Sequence, residues 1–295
     1  MPLVNALTID VEDYYQVSAF ESVVRREAWD RHESRVERNT QKLLALLAAS
    51  NAKATFFVLG WVAERHPGLV RAIQAESHEI ASHGCDHQVL TALTPQQFRE
   101  DIRRAKARLE DITGQAVLGY RAPSFTIMKE TIWALQVLVE EGYGYDSSIF
   151  PIRHDRYGMP GANPACHLLS TPAGPLWEVP PSTVSIAGVR VPVAGGGYFR
   201  LYPYPLLRRL LHKVRAEGHP LVMYLHPWEV DPDQPRMAGP LLSSLRHYLN
   251  LHKTEGRLVR LLRDFRFATI RDAFAPIRRL HDERAGASVS ACGAR

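Results

Sequence analysis

Apolar and polar positions along this chain follow two alternating patterns. Short runs rich in β-branched and aromatic residues predict buried strands, and longer stretches whose apolar residues recur every three or four positions predict amphipathic helices. The predicted strands span residues 4–11, 53–59, 78–82, 116–120, 143–147, 221–225 and 267–270, with shorter β runs at 177–179 and 183–192. The predicted helices span residues 35–49, 61–76, 95–113, 129–141, 205–217 and 240–264. Thr94, Pro95 and Gln97 have the pattern of a capping box at the start of the third helix, and Gly114 ends it.

The order of these elements predicts the fold class. Repeated strand-then-helix units favour a parallel sheet, and about eight such units favour a closed or nearly closed barrel. We therefore expect an α/β fold, a (β/α) barrel of seven to eight strands, as a single domain over residues 1–275. The regular pattern breaks at residues 150–204, which are rich in Pro and Gly. We treat residues 150–219 as an insertion and residues 276–295 as a flexible tail.

Composition narrows the class of protein. The chain has 295 residues, of which 45% are hydrophobic and 23% are charged, which is typical of a globular protein with a sizeable core. The net charge of +5 is mild. Its positive residues are spread out, apart from a local excess in residues 257–284, so we expect no nucleic-acid partner.

Cysteine usage and the first residues bear on the cellular compartment. Cys85, Cys166 and Cys292 are widely separated and form neither a disulfide framework nor a CxxC metal pattern, which fits a reducing compartment. Residues 1–11 turn acidic too early for a signal peptide, and no apolar run approaches the ~20 residues of a membrane-spanning helix. We expect a soluble protein without a transmembrane segment, in the cytoplasm or at the inner face of the membrane. The sequence leaves the oligomeric state open.

The carboxyl ends of the strands are where a (β/α) barrel carries its chemistry. Asp10, Glu12 and Asp13 lie at the carboxyl end of the first strand, and carboxylates this close together repel one another unless a positive charge lies between them. His83 and His87 follow the third strand, and two histidines four positions apart can share one metal ion. A solvated turn would explain the first group alone, and chance would explain the second. Their common position at strand ends is what indicates a site.

Three further ionisable residues also lie at the carboxyl ends of predicted strands. Arg121 would clamp a carboxylate or lie on the surface, Asp146 would be a helix N-cap if it has no chemical role, and a lone His226 would be structural. Together with the groups above, they complete a set. It holds ligands for a divalent metal, a spare carboxylate as base, an arginine to orient that base and a histidine as acid. This is what metal-assisted hydrolysis requires.

The motifs that hold these residues resemble those of a known family. They read LTIDVEDYY at 7–15, TFFVLG at 55–60, EIASHGCDH at 79–87, GYRAPS at 119–124, YDSS at 145–148 and YLHPWE at 224–229. In this order they resemble the polysaccharide deacetylases of the NodB-homology class, carbohydrate esterase family 4. Within that class the chain looks like the branch associated with exopolysaccharide clusters and the exosortase (PEP-CTERM) protein-sorting system.

The resemblance implies a distorted (β/α) barrel and a role for each matching residue. Asp10 matches the general base, and Arg121 matches the residue that orients it. His226 matches the general acid, and Asp146 the carboxylate that tunes this acid. Two further residues, His83 and His87, match the metal-binding pair.

Two features depart from the family pattern. The usual first motif has a second aspartate that binds the metal, but Val11 stands in that place, so the ligand is Glu12 or Asp13. Strand alternation puts residue 12 on the same side as residue 10 and so favours Glu12. The long insertion is the other departure, since irregular segments of this length often shape a substrate groove. We expect it to do so here, with the aromatic residues Tyr198, Phe199 and Trp228 either stacking on sugar rings or simply packing.

The resemblance also implies a reaction. A divalent metal, zinc by default and cobalt or nickel as alternatives, would assist hydrolysis of N-acetyl groups on an amino-sugar polysaccharide or a lipid-linked oligosaccharide in exopolysaccharide biosynthesis. Three alternatives stay open. The protein would be a cyclic amide hydrolase of the same fold, similar to allantoinase, a glycan-binding protein without catalysis, or an esterase for O-acetyl groups. The identity of the polymer also stays open.

Overall fold

The structure, a computed structural model, describes the backbone of residues 3–292 and the side chains of residues 3–284. Its strands are β1 (Asn5–Val11), β2 (Thr55–Val58), β3 (Glu79–Ser82), β4 (Gly119–Tyr120), β5 (Tyr145–Asp146), β6 (His167–Thr171), β7 (Gly174–Glu178), β8 (Thr183–Ile186), β9 (Val189–Pro192), β10 (Val222–Leu225) and β11 (Phe267–Ala268). Its helices are α1 (Val36–Ala49), α2 (Gly60–Arg65), α3 (Pro67–Ala75), α4 (Pro95–Thr113), α5 (Ala134–Glu140), α6 (Gly196–Leu201), α7 (Tyr204–Ala216), α8 (Leu241–Tyr248), α9 (Thr254–Asp264), α10 (Ile270–Ala273) and α11 (Ala275–Cys292).

The main sheet is parallel except at one edge. Its strands lie in the order β10-β1-β2-β3-β4-β5-β7-β6, with β11 beside the start of β1, and only β6 runs antiparallel to its neighbour. Among the described strands the ladder does not close between β7 and β10. Ser182 spans this gap, since its backbone N–H donates to the carbonyl of Val222 over 3.1 Å and its hydroxyl accepts from the Val222 N–H. The predicted α/β fold with a mostly parallel sheet is confirmed, while the fully closed ladder is not formed.

Strand β1 pairs with β10 on one side and β2 on the other and is buried over its whole length. Side chains of a strand alternate between its two faces. Leu7 and Ile9 belong to the large apolar layer, whereas Ala6 packs with Phe57 in a separate, smaller cluster. Asp10 is in phase with Ala6, so its carboxylate lies on the face of that inner cluster.

The amino ends of the strands are filled by a buried polar group and apolar side chains. Glu79, the first residue of β3, accepts hydrogen bonds from the hydroxyls of Tyr145 and Thr55 over 2.8 and 2.6 Å. His281 of α11 lies 3.1 Å from the same carboxylate. Ile277 of α11 is fully buried in the inner cluster. The barrel is therefore plugged at the end opposite the carboxyl ends of its strands.

Two predicted helices are interrupted for local reasons. The helix predicted over 61–76 is two helices, α2 and α3, because Pro67 cannot donate an amide hydrogen bond and begins the second one. The helix predicted over 240–264 ends at Tyr248, and Asn250 adopts a left-handed φ of 53° before α9 begins. By contrast, the capping box of Thr94 and Gln97 at the start of α4 is formed as predicted.

The insertion and the C-terminal segment contain more regular structure than predicted. Residues 150–219 hold the hairpins β6–β7 and β8–β9, and β7 joins the main sheet beside β5. The segment predicted as a flexible tail, 276–295, is helical as far as Cys292 and buries Ile277, so packed structure continues past residue 275. The last three residues of that prediction, 293–295, lie outside the described residues.

Two further expectations concern thiols and membranes. Cys85 and Cys166, the cysteines whose side chains are described, are free thiols. Within residues 3–292, no helix has both the length and the apolar character needed to cross a bilayer.

Candidate active site

Three side chains at the carboxyl ends of β1 and β3 form a cluster suited to a metal ion. Glu12 directly follows β1, and His83 directly follows β3, with His87 four residues later. Each offers a ligand atom, and these atoms lie within 4.8 Å of one another. Strand β2 lies between β1 and β3 and pairs in register with both, which brings the ends of β1 and β3 to one edge of the sheet. His87 has a φ of 51°, a strained conformation that is often found at functional sites.

The orientation of these three side chains fits metal binding. Nδ1 of His83 lies 2.8 Å from the carbonyl oxygen of Arg121, so Nδ1–H donates there and the lone pair of Nε2 is free for a ligand bond. Glu12 Oε2 lies 2.7 Å from Nε2 of His87 but makes no hydrogen bond of good geometry among the described side chains. One ion between them would satisfy both atoms. A carboxylate with two imidazoles is a common donor set for zinc.

Electrostatics keeps these ligands in the required protonation states. Burial lowers the pKa of His83 to about 4, so its ring is neutral at pH 7. Burial alone would raise the pKa of Glu12, but the nearby imidazoles of His87, His226 and His83 outweigh it and lower this pKa to about 2. A neutral histidine and an ionised carboxylate are the forms that bind a metal.

Asp10 and Arg121 form a fully buried ion pair beside this cluster. Nη1 of Arg121 donates to Asp10 Oδ1 and to Thr8 Oγ1, each over 2.7 Å. The other side of the guanidinium donates to the carbonyl and the hydroxyl of Ser147 over 3.0 and 2.8 Å. Its central carbon also lies 4.2 Å from the ring centroid of Phe57. The guanidinium is thus fixed on several sides and in turn fixes Oδ1 of Asp10.

His226, directly after β10, completes the group. Its Nε2 lies 3.6 Å from Glu12 Oε1 and 3.9 Å from Asp10 Oδ2. Its Nδ1 donates to Glu229 Oε1 over 2.7 Å. Burial lowers the pKa of His226, but the charges of Glu12, Glu229 and Asp10 and the hydrogen bond to Glu229 outweigh burial and raise it to about 9. The imidazole is therefore protonated at neutral pH.

Comparisons with known proteins indicate the family of this part of the chain. A sequence profile of the polysaccharide deacetylase family matches residues 28–143. Over 98 residues the chain is 34% identical to the peptidoglycan-N-acetylglucosamine deacetylase of Bacillus cereus, a match that covers 33% of this chain and 36% of that protein. The chain contains a polysaccharide deacetylase domain. A second profile, described as a domain of unknown function, matches residues 147–275 of the same chain and includes His226.

A further relative shows over what share of each chain the sequence similarity extends. The chitooligosaccharide deacetylase of Rhizobium leguminosarum bv. trifolii is 41% identical over 64 residues, covering 22% of this chain and 30% of that protein. The chain thus spans about a third of the length of these curated relatives.

Solved structures share the fold over nearly the whole chain. A protein of Mycobacterium smegmatis classed as a polysaccharide deacetylase covers 95% of this chain and 92% of its own, with a TM-score of 0.62 and 21% identity. A protein of Pseudomonas aeruginosa PAO1 classed in the same way covers 91% and 88%, with a TM-score of 0.58 and 17% identity. These structures therefore share the fold of this chain, including the insertion.

Asp146 does not take the place that the family resemblance predicts for it. Its carboxylate accepts from the hydroxyl and the N–H of Ser148 and lies against Glu178, its register partner on β7. Burial raises the pKa of both carboxyl groups. The prediction that Asp146 contacts His226 is wrong, because Glu229 occupies that position. The signal for Glu229 is the capping-box spacing of His226 and Glu229, three positions apart.

Asp13 lies outside the metal-binding cluster. Its carboxylate accepts from the hydroxyl of Ser34 over 2.7 Å and from the backbone N–H groups of Arg35 and Val36 over 3.0 and 3.2 Å. These are the free amide groups at the start of α1, so Asp13 serves as a helix cap supplied from another segment. Of the two predicted acidic ligands, only Glu12 lies with the histidines.

The three predicted sugar-stacking residues differ in position. A cavity of about 440 Å³ is lined by Asp10, Glu12, His83, His87, His226, Tyr198, Trp228 and other residues. Tyr198 is half-buried at its wall. Trp228 is 5% exposed, stacks with His226 and His247, and donates from Nε1 to Glu12, so it supports the site without a free face for a sugar. Phe199 is fully buried in the apolar core, so its prediction as a sugar contact is wrong.

Arg200 belongs to the site and was missed in the sequence. Its Nε donates to Glu229 Oε2 over 2.8 Å, and both side chains are buried. Burial alone would raise the pKa of Glu229, but the charge of Arg200 and the contacts with His226 lower it. A lone arginine in an irregular segment carries no pattern that marks it, so no sequence signal identifies this residue.

Proposed function

We propose that this protein removes N-acetyl groups from an amino-sugar polysaccharide by metal-assisted hydrolysis. The observation that carries this proposal is the convergence of Asp10, His226 and the cluster of Glu12, His83 and His87 on one cavity. A base, an acid and three metal ligands facing one space are the groups that amide hydrolysis needs.

The metal would be held by Glu12, His83 and His87, whose free lone pairs and protonation states suit it. When bound, a divalent cation supplies Lewis acidity that polarises the acetyl carbonyl. We expect zinc, because it favours mixed imidazole and carboxylate ligands, with cobalt or nickel as alternatives.

Asp10 would act as the general base. Arg121 holds Oδ1, which leaves Oδ2 facing His226 and the cavity. Oδ2 would accept a proton from the water that attacks the acetyl carbon. Because Arg121 is itself fixed by Ser147 and Thr8, the base needs little reorganisation during the reaction.

His226 would act as the general acid. Its ring is charged at neutral pH, and Nε2 lies on the same side as Asp10 and Glu12. Nε2 would donate its proton to the nitrogen of the departing amine as the C–N bond breaks. The products are acetate and a free amino sugar.

The proposed substrate follows from the reaction and from the names of the relatives. Those relatives are named for peptidoglycan N-acetylglucosamine and for chitooligosaccharides, both of which carry N-acetylated amino sugars. We infer an acetylated amino-sugar polysaccharide or a lipid-linked oligosaccharide as the substrate, with a role in exopolysaccharide biosynthesis at the cytoplasmic side. Tyr198 would stack on a sugar ring at the cavity wall.

The test is an acetate-release assay on N-acetylated chitooligosaccharides, with metal analysis of the same sample and with allantoin and an O-acetylated sugar assayed beside them. We expect stoichiometric acetate and free amine from the amide substrate, and loss of activity after chelation or in His83→Ala. Turnover of allantoin instead, or saturable sugar binding without acetate release, would favour the alternative functions. Activity that survives chelation would refute the metal-assisted mechanism.

A further inference from the structure

We propose that Glu229 and Arg200 are positioning residues that hold the imidazole of His226 in its proton-donating orientation. The proposal rests on the function proposed above and assigns to the insertion a part in the chemistry. In this proposal Glu229 takes the role predicted for Asp146, which lies against Glu178 and Ser148 in the structure.

Glu229 holds His226 at two points. Its Oε1 accepts from Nδ1 of the ring over 2.7 Å and from the backbone N–H of the same residue over 3.0 Å. The ring and the main chain are thus fixed relative to each other by one carboxylate oxygen. With Nδ1 engaged, Nε2 is the nitrogen that faces Asp10 and Glu12. A ring flip would break the bond to Glu229 and turn Nε2 away from the cavity.

Arg200 in turn holds Glu229. Nε of Arg200 donates to Oε2 over 2.8 Å, so each oxygen of the carboxylate has its own partner. Nη1 of Arg200 donates to the carbonyls of His247 and Leu249, each over 2.8 Å. The side chains of Arg200 and Glu229 are 2% and 1% exposed. A buried carboxylate of this kind requires a charged partner that is itself satisfied, and Arg200 meets that condition.

Space for Glu229 is made by the first residue of α6. A Cβ placed on Gly196 would lie 1.7 and 1.8 Å from the two oxygens of Glu229. The turn that carries Arg200 therefore packs its backbone directly against the carboxylate. Gly196 and Arg200, the two residues that contact Glu229 here, both come from the insertion.

The chemical consequence concerns the leaving group. An amine leaves from a tetrahedral intermediate only with a proton on its nitrogen. Nε2 of His226 supplies this proton, while Nδ1 keeps its own proton in the hydrogen bond to Glu229. A phenolate leaving group departs without a proton. Loss of the positioning pair should therefore impair amide hydrolysis far more than hydrolysis of an activated aryl acetate.

The experiment compares Glu229→Gln with wild type and with Asp146→Asn, which removes the charge from the other candidate carboxylate. For each folded protein, kcat/KM is measured on an N-acetylated chitooligosaccharide and on 4-nitrophenyl acetate. We expect the amide-to-ester ratio to fall about 10- to 100-fold in Glu229→Gln, by loss of part of the general-acid contribution, and to stay constant in Asp146→Asn. Equal losses on both substrates in Glu229→Gln, or a selective amide loss in Asp146→Asn, would overturn the proposal.

A second readout does not depend on turnover. In ¹⁵N-labelled protein, the Nδ1–H proton of His226, assigned with His226→Gln, should appear far downfield in wild type and in Asp146→Asn but not in Glu229→Gln. Its persistence in Glu229→Gln would refute the positioning role. Arg200→Lys, which keeps the charge but loses the geometry, should shift the same resonance and serves if Glu229→Gln fails to fold. If wild type releases no acetate while the resonance behaves as expected, the proposed function fails and the positioning of His226 stands.

Discussion

Glu12 and Asp13 are adjacent in the chain, yet their carboxylates lie in different environments. Glu12 Oε2 lies 2.7 Å from Nε2 of His87, whereas both oxygens of Asp13 accept from the backbone at the start of α1. One carboxylate thus belongs to the candidate metal centre and its neighbour to the scaffold beneath it.

Matched substitutions should separate these two roles. Glu12→Ala removes a ligand and should lower zinc affinity by at least about 100-fold, since even residues that only support metal ligands contribute 10- to 100-fold. Asp13→Ala removes a helix cap and should lower the free energy of unfolding by about 1–2 kcal/mol with zinc affinity unchanged. Metal competition titrations and urea unfolding measure the two effects. If Asp13→Ala lost zinc while Glu12→Ala still bound it, Asp13 and not Glu12 would be the metal ligand.

Asp10→Asn should impair catalysis without unfolding the protein. The asparagine cannot accept the proton from water, so we expect kcat to fall by about 10²- to 10⁴-fold. Arg121 keeps its bonds to Thr8 and Ser147, so the melting temperature and the metal content should stay close to wild type. Asp233→Asn, a change at an exposed carboxyl outside the cavity lining, serves as the control and should keep full activity. Wild-type kcat in Asp10→Asn would remove this residue from the mechanism.

Tyr198→Ala and Phe199→Ala should affect different quantities. Tyr198 lines the cavity, and loss of a sugar-stacking ring should raise KM about 10-fold, equivalent to about 1.4 kcal/mol of binding. Phe199 is fully buried, so its truncation should cost about 3–5 kcal/mol of folding free energy. Steady-state kinetics on oligosaccharides and chemical unfolding distinguish the two. A larger effect of Phe199→Ala than of Tyr198→Ala on KM in folded protein would restore Phe199 as a sugar contact.

His78 should make the fold sensitive to acid. Its Nδ1 accepts from the N–H of Ala54 over 3.1 Å, and burial lowers the pKa of the ring from 6.5 to about 4. Between these values the unfolded chain binds the proton and the folded chain does not, so stability falls as the pH drops below about 6.5 and the loss is complete below about 4. We expect this group to account for about 2 kcal/mol lost between pH 7 and 4.5.

Urea unfolding of wild type and His78→Gln at both pH values measures this contribution. The variant should start less stable at pH 7 and lose about 2 kcal/mol less on acidification, because glutamine does not titrate. Parallel losses in the two proteins would show that the acid sensitivity arises elsewhere.

The parts of the site that the sequence predicts are those that depend on strand ends. Asp10 lies in the last two residues of a predicted strand, and His83, Arg121 and His226 each follow one; parallel strands bring these carboxyl ends to one edge. The alternation of side chains that begins in β1 also predicts that Glu12, and not Asp13, lies on the same side as Asp10, and only Glu12 joins the histidines in the structure. These inferences use local pattern and sheet geometry alone, so they need no knowledge of distant packing.

The parts that the sequence does not predict depend on tertiary contacts. Asp146 lies beside Glu178 because β7 of the insertion pairs with β5, and no local sequence pattern predicts that pairing. Asp13 finds its partners at Arg35 and Val36, more than twenty positions away. Phe199 and Tyr198 are neighbours of similar chemistry whose exposure is decided by how α6 packs. The break between α2 and α3, by contrast, had a local signal at Pro67.

Under the function proposed above, the plug around Glu79 at the amino end of the barrel limits how a polymeric substrate would approach the cavity. Tyr145, Thr55 and His281 contact that carboxylate, and Ile277 is buried in the adjoining apolar cluster, so side chains fill this end of the barrel. A sugar chain would then lie across the mouth, presenting one acetamido group downward while its two ends extend into solvent. Threading from a chain end would be unnecessary, so residues in the middle of a long glycan would be as accessible to Asp10 as those at its tips.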